Sequence, residues 1–414
     1  MEECIKILKK YKQEHILNFF DLCNQEQKEN LINQIKNIDF GLLEELYNIS
    51  KKKINEKVDA SCIGSLKYTN KNSMDVAFKE KIEKIGVDII KNNNYAVVTM
   101  AGGQGTRLGH KGPKGTYLLD VKPKAKYLFE ILADSLKEAN EKYNIILNWY
   151  IMTSEENNAE TVCFFETNKY FGYPKEYIKF FTQGNMPLLS EEGKVLIDEN
   201  YNIKVAADGN GCIYKSMKKS GILEDMKNKN IKWIFIGAVD NVLLNMIDPV
   251  LLGLTIYENN EIASKSIVKA GPYEKVGVFC KKNSKPTVIE YSEMPEYLAE
   301  MLDENGELVY GESHIMCNLF SINALEKIAQ NTLPYHSAHK KANYLDQTGK
   351  LIIAEQPNVY KYEAFIFDAF EFFDNITILR GKREDDFAPL KNKTGVDSAE
   401  TASDMYNKKH KYNN

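Results

Sequence analysis

The chain has 414 residues, of which 43% are hydrophobic, so it is long enough for two or three domains with packed cores. Its formal net charge of −4 excludes strong general attraction to nucleic acid. Its seven cysteines are scattered without a CxxC pair, which argues against a disulfide framework or a zinc site. The N-terminal "MEECIKILKKYKQEH" is polar, and no apolar run approaches the ~20 residues of a membrane span. We therefore predict a cytoplasmic protein with neither nucleic-acid nor membrane partners.

Helical spacing of apolar residues dominates the chain up to about Asn93. In "QKENLINQIKNI", for example, Leu31, Ile32 and Ile35 share one stripe. We interpret the range 1–93 as a helical N-terminal region whose helices serve mainly for packing.

From Tyr95 the pattern changes to short apolar runs that are typical of buried strands. The runs are "YAVVTM", "ILNWYIMT", "WIFIGAV" and "SKSIVK". Helix-like stretches such as "KYLFEILADSLKEANEKY" and "ETVCFFETNKYF" separate them. This alternation predicts an α/β fold with a doubly wound, mostly parallel sheet over the range 94–345.

The later part of the chain has a mixed pattern. Alternating apolar residues in "EKVGVFCKKNSKPTVIEYSE" predict a β-hairpin around "KKNSKP". The range 346–414 is interpreted as a short C-terminal region, and its polar tail after Lys393 is expected to be frayed.

The segment "MAGGQGTRLGHKGPKG", Met100 to Gly115, directly follows the first predicted strand. Glycines let backbone N–H groups approach an anion, and ligands of doubly wound sheets bind beyond the C-terminal strand ends. The dinucleotide fingerprint does not fit, because the glycines are spaced GxGxxxG, and no GK[ST] is placed as in a P-loop. Two fixed cations remain, Arg107 and Lys114. The residues alone favour a nucleotide-phosphate site, with an ordinary glycine-rich turn as the alternative.

This segment resembles the signature of eukaryotic-type UDP-N-acetylglucosamine pyrophosphorylases and their UDP-sugar pyrophosphorylase relatives. The likeness continues in family order over nearly the whole chain, through "QEHIL" upstream and then "WYIMTS", "KYFG", "FFTQGNMPLLS", "ADGNGCIY", "VDNVLL", "VGVF", "VIEYSE", "FIFDAF" and "FAPLKN". It implies a Rossmann-like nucleotidyltransferase domain between a helical N-terminal part and a smaller C-terminal part. It also implies that a phosphate oxygen of a sugar 1-phosphate attacks the α-phosphorus of UTP and releases pyrophosphate, with Mg²⁺ as cofactor. Such chemistry needs alignment and charge neutralisation, and no side-chain nucleophile.

Matching positions supply the phosphate and nucleotide contacts that the resemblance implies. The catalytic set is Arg107, Lys114 and Lys391. The UTP-binding set is Met100, Ala101, Gly102, Gly103, Gln183, Gly209, Asp240 and Lys361. Arg107 would grip the β- and γ-phosphates with its planar fork, and Lys114 would neutralise the α-phosphate region. Gln183 would read the uracil edge, since an amide offers both a donor and an acceptor. Lys391 lies far along the chain and would have to swing over the site.

Asp240, at the end of "WIFIGAVD", matches the metal-binding aspartate of the family. A carboxylate that faces phosphates at the C-terminal end of a strand is a natural Mg²⁺ ligand. The residue alone leaves a helix N-cap as an equal alternative. Asp208 and Asp368 are further carboxylates in matching segments, and neither is assigned to the metal.

The resemblance also implies a set of sugar-binding residues, namely Asn210, Gly277, Glu290, Tyr291, Asn318, Phe365 and Phe367. Glu290 and Asn318 would bond sugar hydroxyls, and the two phenylalanines would pack against an N-acetyl methyl group. Without the resemblance, "DGNG" is simply a turn, and a strand core is the alternative for the phenylalanines of "FIFDAF".

Some features depart from the family pattern and leave the sugar open. The chain ends soon after "PLKN", so the β-rich C-terminal domain of animal and fungal members is expected to be absent. Cys212, "NMPLL" and "SHIMCN" differ from the commonest forms near the sugar pocket.

We favour UDP-N-acetylglucosamine as the product. Since one acetamido group gives only about 1–3 kcal/mol of discrimination, UDP-glucose, UDP-galactose, UDP-N-acetylgalactosamine or a broad range remain alternatives. An inactive UDP-sugar sensor is the alternative of another class. The expected partners are UTP, a sugar 1-phosphate and the product pyrophosphate, and a monomer is one open option for the assembly.

Overall fold

The computed structural model describes residues 1–53 and 60–411. The chain forms two compact units, each built from separate segments. Unit 1 consists of Met1–Lys57, Gly184–Cys212 and Leu333–Ile366, and unit 2 consists of Val58–Gln183, Ile213–Thr332 and Phe367–Asn414. The three regions predicted from the sequence, 1–93, 94–345 and 346–414, are defined by sequence pattern and not by contacts in space. They stay a prediction.

Helices and short strands alternate along the described chain. The α-helices are α1 (Glu2–Lys10), α2 (Gln25–Asn37), α3 (Phe40–Lys53), α4 (Val76–Lys91), α5 (Leu128–Tyr143), α6 (Asn158–Thr167), α7 (Ile213–Lys219), α8 (Ile222–Asn228), α9 (Pro249–Tyr257), α10 (Glu296–Ala299), α11 (Ile322–Ala329), α12 (Arg383–Asp386) and α13 (Ala399–Lys409). Short 3₁₀ helices span Glu14–Asp21, Ala60–Cys62, Thr106–Leu108, Lys114–Thr116, Lys169–Gly172, Lys175–Tyr177, Asn210–Cys212 and Ile366–Phe372.

The β-strands range from two to ten residues in length. They are β1 (Ile63–Gly64), β2 (Thr69–Asn70), β3 (Tyr95–Met100), β4 (Leu118–Leu119), β5 (Lys126–Tyr127), β6 (Asn148–Thr153), β7 (Ile178–Thr182), β8 (Asn185–Pro187), β9 (Leu189–Ser190), β10 (Val205–Ala207), β11 (Trp233–Ala238), β12 (Ile262–Val268), β13 (Val278–Lys282), β14 (Lys285–Ile289), β15 (Glu312–Ser321), β16 (His336–Lys340), β17 (Tyr344–Leu345), β18 (Leu351–Ile352), β19 (Val359–Glu363) and β20 (Thr377–Arg380).

Unit 2 is built on a large, mostly parallel sheet with the strand order β2-β20-β12-β15-β11-β3-β6-β7. Every pairing along this path is parallel except those of β15, which runs antiparallel to β12 and β11. Strands β1, β13 and β14 extend the sheet from β15 through antiparallel pairs. The prediction of a mixed α/β fold with a mostly parallel sheet is therefore confirmed, as are the hairpin β13–β14 and the four predicted strands, which are β3, β6, β11 and β12.

The middle of this sheet sets the position of the glycine-rich segment. All six residues of β3 are buried, as expected for a central parallel strand that is covered on both faces. Met100, the last residue of β3, is in register with Ala238 of β11 and with Met152 of β6. The three strands therefore end at one edge, where the segments that follow them meet.

Helices α4 and α9 of unit 2 pack with their backbones in close approach. A Cβ atom added to Gly86 would lie 2.0 Å from the carbonyl oxygen of Pro249, and one added to Gly253 would lie 1.9 Å from that of Ile82. Glycine is therefore needed at both positions for this packing.

A buried ion cluster lies at the start of α9. The Asp248 carboxylate caps the helix by accepting hydrogen bonds from backbone N–H groups of its first turn, and it also accepts from Lys71 at 2.7 Å and from Lys265 at 3.0 Å. Burial alone would raise the pKa of Asp248, but the charges of Lys265 and Lys71 hold it far below its ordinary value. Lys265 also pairs with Asp386, which ties this cluster to the segment that leads to Lys391.

The expectation of a frayed tail after Lys393 is wrong over Ala399–Lys409, which forms α13. Ser398 caps this helix, and Ala402 and Tyr406 bury one side of it in the core of unit 2. The polar composition hides a short apolar stripe with i, i+4 spacing, which is enough to dock a helix.

Unit 1 combines α1–α3 with small antiparallel sheets, β16-β19-β9, β10-β8 and β17-β18. Its core includes Leu31 and Ile35 of α2, both fully buried, as their predicted stripe requires. Ser50 of α3 donates to the Tyr362 hydroxyl of β19 at 3.2 Å, so residues far apart in the chain close the unit. Within residues 1–53 and 60–411, no helix has both the length and the apolar character that crossing a membrane requires.

Candidate active site

The glycine-rich segment after β3 is a loop held by its own backbone. The N–H of Lys114 donates to the carbonyl of Gly103 at 3.0 Å, and the N–H of Gly105 donates to that of Gly112 at 3.0 Å. Gly109 and Gly112 have φ values of 72° and 124°, which disfavour any residue with a Cβ. The loop is therefore a defined structure before any ligand binds.

Asn157 connects the start of this loop to the C-terminal end of β6 by hydrogen bonds. Its buried side-chain amide donates to the carbonyl of Ala101 at 3.1 Å, while the N–H of Ala101 donates to the carbonyl of Met152 at 2.7 Å. Asn157 is not among the site residues predicted from the sequence. The available signal was a short polar segment directly after the predicted strand "WYIMT". In this segment Ser154 N–H donates to Asn157 Oδ1 and Asn157 N–H donates to Ser154 Oγ, as in a capping box.

Gln183 lies against the loop at Gly102. Its backbone N–H donates to the carbonyl of Thr153 at 2.8 Å, which continues the β6–β7 pairing past the strand end. A Cβ atom on Gly102 would lie 2.8 Å from Gln183 Nε2, so the glycine makes room for this amide. The side chain is buried, and it makes no hydrogen bond with any residue that the structure describes. Its donor and acceptor are thus available to a ligand beside the loop.

Lys114 and Asp240 join the loop to the end of β11. Lys114 Nζ lies 2.8 Å from Asp240 Oδ2, and the two side chains are 12% and 25% exposed. The preceding Val239 N–H donates to the carbonyl of Met100 at 3.1 Å. The alternative of a helix N-cap for Asp240 is wrong, because no helix starts there and α9 is capped by Asp248.

The segment that contains Lys391 is fixed beside Asp240 by backbone hydrogen bonds. The N–H of Leu390 donates to the carbonyl of Asp240 at 2.8 Å. Asn241 clamps the same segment, since its amide donates to the carbonyl of Asp386 at 2.7 Å and accepts from the N–H of Ala388 at 2.9 Å. The backbone next to Lys391 is therefore fixed at the end of β11, and the swing of the Lys391 loop over the site stays a prediction.

The two remaining cations of the predicted catalytic set, Lys391 and Arg107, differ in their contacts. Lys391 Nζ lies 3.5 Å from Asp397 Oδ2, and its side chain is 35% exposed. Arg107 lies in the 3₁₀ turn Thr106–Leu108 and is exposed. In the described ranges 1–53 and 60–411 its guanidinium has neither an ion pair nor a hydrogen bond. Arg107 can therefore engage an anion without first breaking a contact.

Five of the predicted sugar-binding residues lie in unit 2 near strands β13, β14 and β15. Gly277 precedes β13, and a Cβ atom on it would lie 3.3 Å from Glu290 Oε1, at the end of β14. Tyr291 follows and is half exposed. Asn318 of β15 is fully buried, and Phe367 is buried as well.

The remaining nucleotide and sugar candidates lie in unit 1. A Cβ atom on Gly209 would lie 2.3 Å from the carbonyl oxygen of Ala364, and the Asn210 side chain accepts from the N–H of Ile366 at 2.9 Å. The "DGNG" turn thus lies against the "AFI" segment, residues 364–366, within this unit.

The two other candidates of unit 1, Lys361 and Phe365, each contact a neighbouring side chain. Lys361 pairs with Glu363 at 2.8 Å, and the Phe365 ring lies 4.6 Å from that of His336. Phe365 is half-buried and Phe367 is buried in unit 2. The alternative of a strand core for "FIFDAF" is wrong, because Ile366–Phe372 forms a 3₁₀ helix.

The carboxylates of the candidate site bear on whether Mg²⁺ can be bound there. Among the described residues, no group of three or more His, Cys, Asp or Glu side chains could hold a metal ion. Mg²⁺ at nucleotide sites is often bound by only one or two carboxylates together with phosphate oxygens and water. The partly exposed Asp240 carboxylate, at the strand edge beside the loop, fits this donor set. Asp208 lies in unit 1 against Gly184, and Asp368 is buried in unit 2.

The chain is similar over most of its length to one family model and to several known proteins. Residues 42–413 match the family model described as UTP--glucose-1-phosphate uridylyltransferase. The chain is 34% identical over 415 residues to UDP-N-acetylglucosamine pyrophosphorylase of Saccharomyces cerevisiae, covering 95% of this chain and 87% of that one. It is 32% identical over 423 residues to UDP-N-acetylglucosamine diphosphorylase 2 of Arabidopsis thaliana, covering 96% and 82%. The crystal structure of the uridine diphosphate N-acetylglucosamine pyrophosphorylase from Trypanosoma brucei in complex with inhibitor is similar with a TM-score of 0.83 at 29% identity, covering 98% and 84%.

Proposed function

This chain belongs to the UTP--glucose-1-phosphate uridylyltransferase family, and we propose that it transfers the uridylyl group of UTP to N-acetylglucosamine 1-phosphate. The products are UDP-N-acetylglucosamine and pyrophosphate. The observation that carries the proposal is the loop after β3, whose Lys114 meets Asp240 at 2.8 Å beside the edge of the sheet. We also infer that this sheet is the doubly wound, Rossmann-like sheet of a nucleotidyltransferase.

The reaction requires positioned charge more than a reactive side chain. The sugar phosphate is itself the nucleophile, and the protein has to hold it in line with the α-phosphorus while pyrophosphate leaves. In this proposal, the backbone N–H groups of Gly102 and Gly103 hold the triphosphate, and Lys114 places a positive charge at the α-phosphate. Arg107, with its free guanidinium, binds the leaving β- and γ-phosphates in bidentate geometry. Lys391 adds a further positive charge at the same strand edge.

We infer that Asp240 holds Mg²⁺ together with phosphate oxygens of UTP. The ion would neutralise phosphate charge and polarise the P–O bonds at the reacting phosphorus. The ammonium of Lys114 keeps the Asp240 carboxylate oriented at the strand edge when no nucleotide is bound. When the triphosphate enters, the same ammonium is within reach of phosphate oxygens.

A panel of sugar 1-phosphates tests the proposed function. Glucose, galactose, N-acetylglucosamine and N-acetylgalactosamine 1-phosphates are supplied with UTP, in Mg²⁺ and in excess EDTA, and pyrophosphate release is followed. We expect the highest kcat/KM with N-acetylglucosamine 1-phosphate and no release in EDTA. Equal values for the glucose and N-acetylglucosamine substrates would overturn the choice of sugar, and full activity in EDTA would overturn the metal. UTP binding without any turnover would favour the inactive UDP-sugar sensor.

Replacing Gln183 by alanine is expected to weaken the preference for UTP over CTP. In the proposed contact, the buried amide of Gln183 beside Gly102 accepts from uracil N3–H through its oxygen and donates to a uracil carbonyl through its NH₂, and cytosine has no N3–H to donate. The ratio of kcat/KM for UTP to that for CTP should fall by about tenfold or more. Gln330→Ala, on an exposed residue of unit 2, is the control that should leave the ratio unchanged. An unaltered ratio in Gln183→Ala would remove Gln183 from the base site.

The cytoplasmic location stays a prediction from the cysteine pattern, which cell fractionation would test. The oligomeric state is likewise a prediction, and light scattering of the purified protein would decide whether it is a monomer.

A further inference from the structure

His314 of β15 contacts three residues of the predicted sugar site, although none of the roles above uses it. Its backbone N–H donates to the carbonyl of Gly277 at 2.9 Å. Its ring nitrogen Nε2 lies 3.0 Å from Asn318 Oδ1. Its ring packs edge-on against Phe367, with a centroid distance of 5.6 Å and an interplanar angle of 87°. One side chain and its backbone therefore link residues from three separate segments of unit 2.

The surroundings keep His314 neutral and in place. The rings of Phe279 and Phe370 also meet the imidazole edge-on, at centroid distances of 5.3 and 6.0 Å, so the ring is held in an aromatic cage. Burial lowers the pKa of His314 to about 4, while its hydrogen bond to Asn318 acts in the opposite direction. A neutral imidazole is not a general acid near neutral pH, but in the Nε2–H tautomer it can donate a hydrogen bond to Asn318 Oδ1 and so orient the amide.

Asn318 is the amide that His314 orients. The Asn318 side chain is fully buried, and its Oδ1 end meets both His314 Nε2 at 3.0 Å and Ser264 Oγ at 2.9 Å. Its other end, Nδ2, is buried without a hydrogen-bond partner among the residues that the structure describes. Buried polar groups are rarely left unpaired, because the loss of hydration is not compensated. The unpaired end is therefore the one that a ligand would satisfy.

We propose that His314 is a positioning residue that sets sugar recognition. By holding one end of the Asn318 amide, it presents the other end to an oxygen of the hexose, which is a ring hydroxyl or the acetamido carbonyl. Its contacts with Phe367 and Gly277 also hold the Phe367 ring and the start of β13 in place beside Asn318. This inference rests on the proposed function, since it assigns the ligand of that site.

Two substitutions of His314 separate orientation from simple packing. His314→Leu fills the aromatic cage with an apolar side chain of similar size but releases the Asn318 amide. His314→Gln keeps a hydrogen-bonding group near the position of Nε2. We expect His314→Leu to raise KM for N-acetylglucosamine 1-phosphate by about tenfold or more, with KM for UTP within about twofold of wild type. His314→Gln should recover most of this loss, and the exposed control His339→Gln should change neither KM.

A second variant and a binding measurement keep the inference testable if His314→Leu folds poorly. Ser264→Ala removes the other contact of Asn318 Oδ1, and it should raise the KM for the sugar in the same direction, by a smaller factor. Calorimetry would compare binding of UDP-N-acetylglucosamine with binding of UDP, and only the former should weaken in the His314 and Ser264 variants.

The outcomes that overturn this inference differ from those that overturn the proposed function. Equal rises in both KM values, an unchanged KM for the sugar, or a glutamine variant no better than leucine would each reject the role of His314. Unchanged affinity for UDP-N-acetylglucosamine in both variants would do the same. Failure of the wild-type protein to release pyrophosphate with any sugar 1-phosphate would instead reject the proposed function, and the calorimetric comparison would still decide the role of His314.

Discussion

Replacing Lys114 by alanine is expected to lower kcat by about two to three orders of magnitude. Lys114 is held at the edge of the sheet by its loop and by Asp240, so its charge is already in position when UTP binds. Such a preorganised charge acts on the transition state more than on the bound substrate, because negative charge is redistributed at the phosphorus as pyrophosphate leaves. The measurement is the steady-state rate of pyrophosphate release at saturating substrates.

The fold should be intact in this variant. The two side chains are 12% and 25% exposed, so water can still reach the Asp240 carboxylate when the ammonium is removed, and we expect the free energy of unfolding to fall by about 1–3 kcal/mol. Lys111→Ala is the matched control, since it removes an exposed lysine of the same loop and should leave kcat unchanged. If Lys114→Ala keeps a kcat within a few-fold of wild type, the assignment of this lysine to the reacting phosphate is wrong.

Replacing Gly253 by alanine is expected to decrease the free energy of unfolding by about 3 kcal/mol or more. The new Cβ would lie 1.9 Å from a backbone carbonyl of α4, so the two helices must separate and lose packing along their whole contact. Alanine favours a helix over glycine by about 1 kcal/mol, which is too little to offset this clash. Urea-induced unfolding followed by circular dichroism would measure the difference.

A glycine of unit 2 in open surroundings provides the control for this substitution. A Cβ atom on Gly271 would meet nothing within 4 Å, so Gly271→Ala should unfold at the wild-type urea concentration. A Gly253→Ala protein as stable as wild type would show that α4 and α9 tolerate a wider separation than their close packing indicates.

Local pattern predicted those parts of the molecule that depend on neighbours in the chain. The buried strand β3 follows from an unbroken apolar run, and the position of Asp240 follows from the strand before it. The loop between Met100 and Gly115 is identified by its glycines, but the reason for one of them lies outside the loop. Gly102 makes room for the Gln183 amide, which lies about eighty residues further along the chain.

Contacts between distant segments could not be predicted from such patterns. The clamp from Asn241 to the segment before Lys391 joins residues about 145 positions apart, and no periodicity reports it. The same holds for His314, whose neighbours come from three segments, and for α13, whose docking depends on two apolar side chains in a polar stretch. The residue types of the candidate site could be predicted from the sequence. The residues that hold them in place could not, because their contacts join segments that are far apart in the chain.

The interleaved order of the two units has a consequence for biosynthesis. Unit 1 needs Leu333–Ile366, and the sheet of unit 2 needs β20 beside β2, so neither has all its segments until the ribosome has passed these late positions. A nascent chain that has emerged only to the middle of the sequence therefore exposes unpaired strand edges and apolar helix faces. Such a chain is prone to aggregate until its late segments have been made.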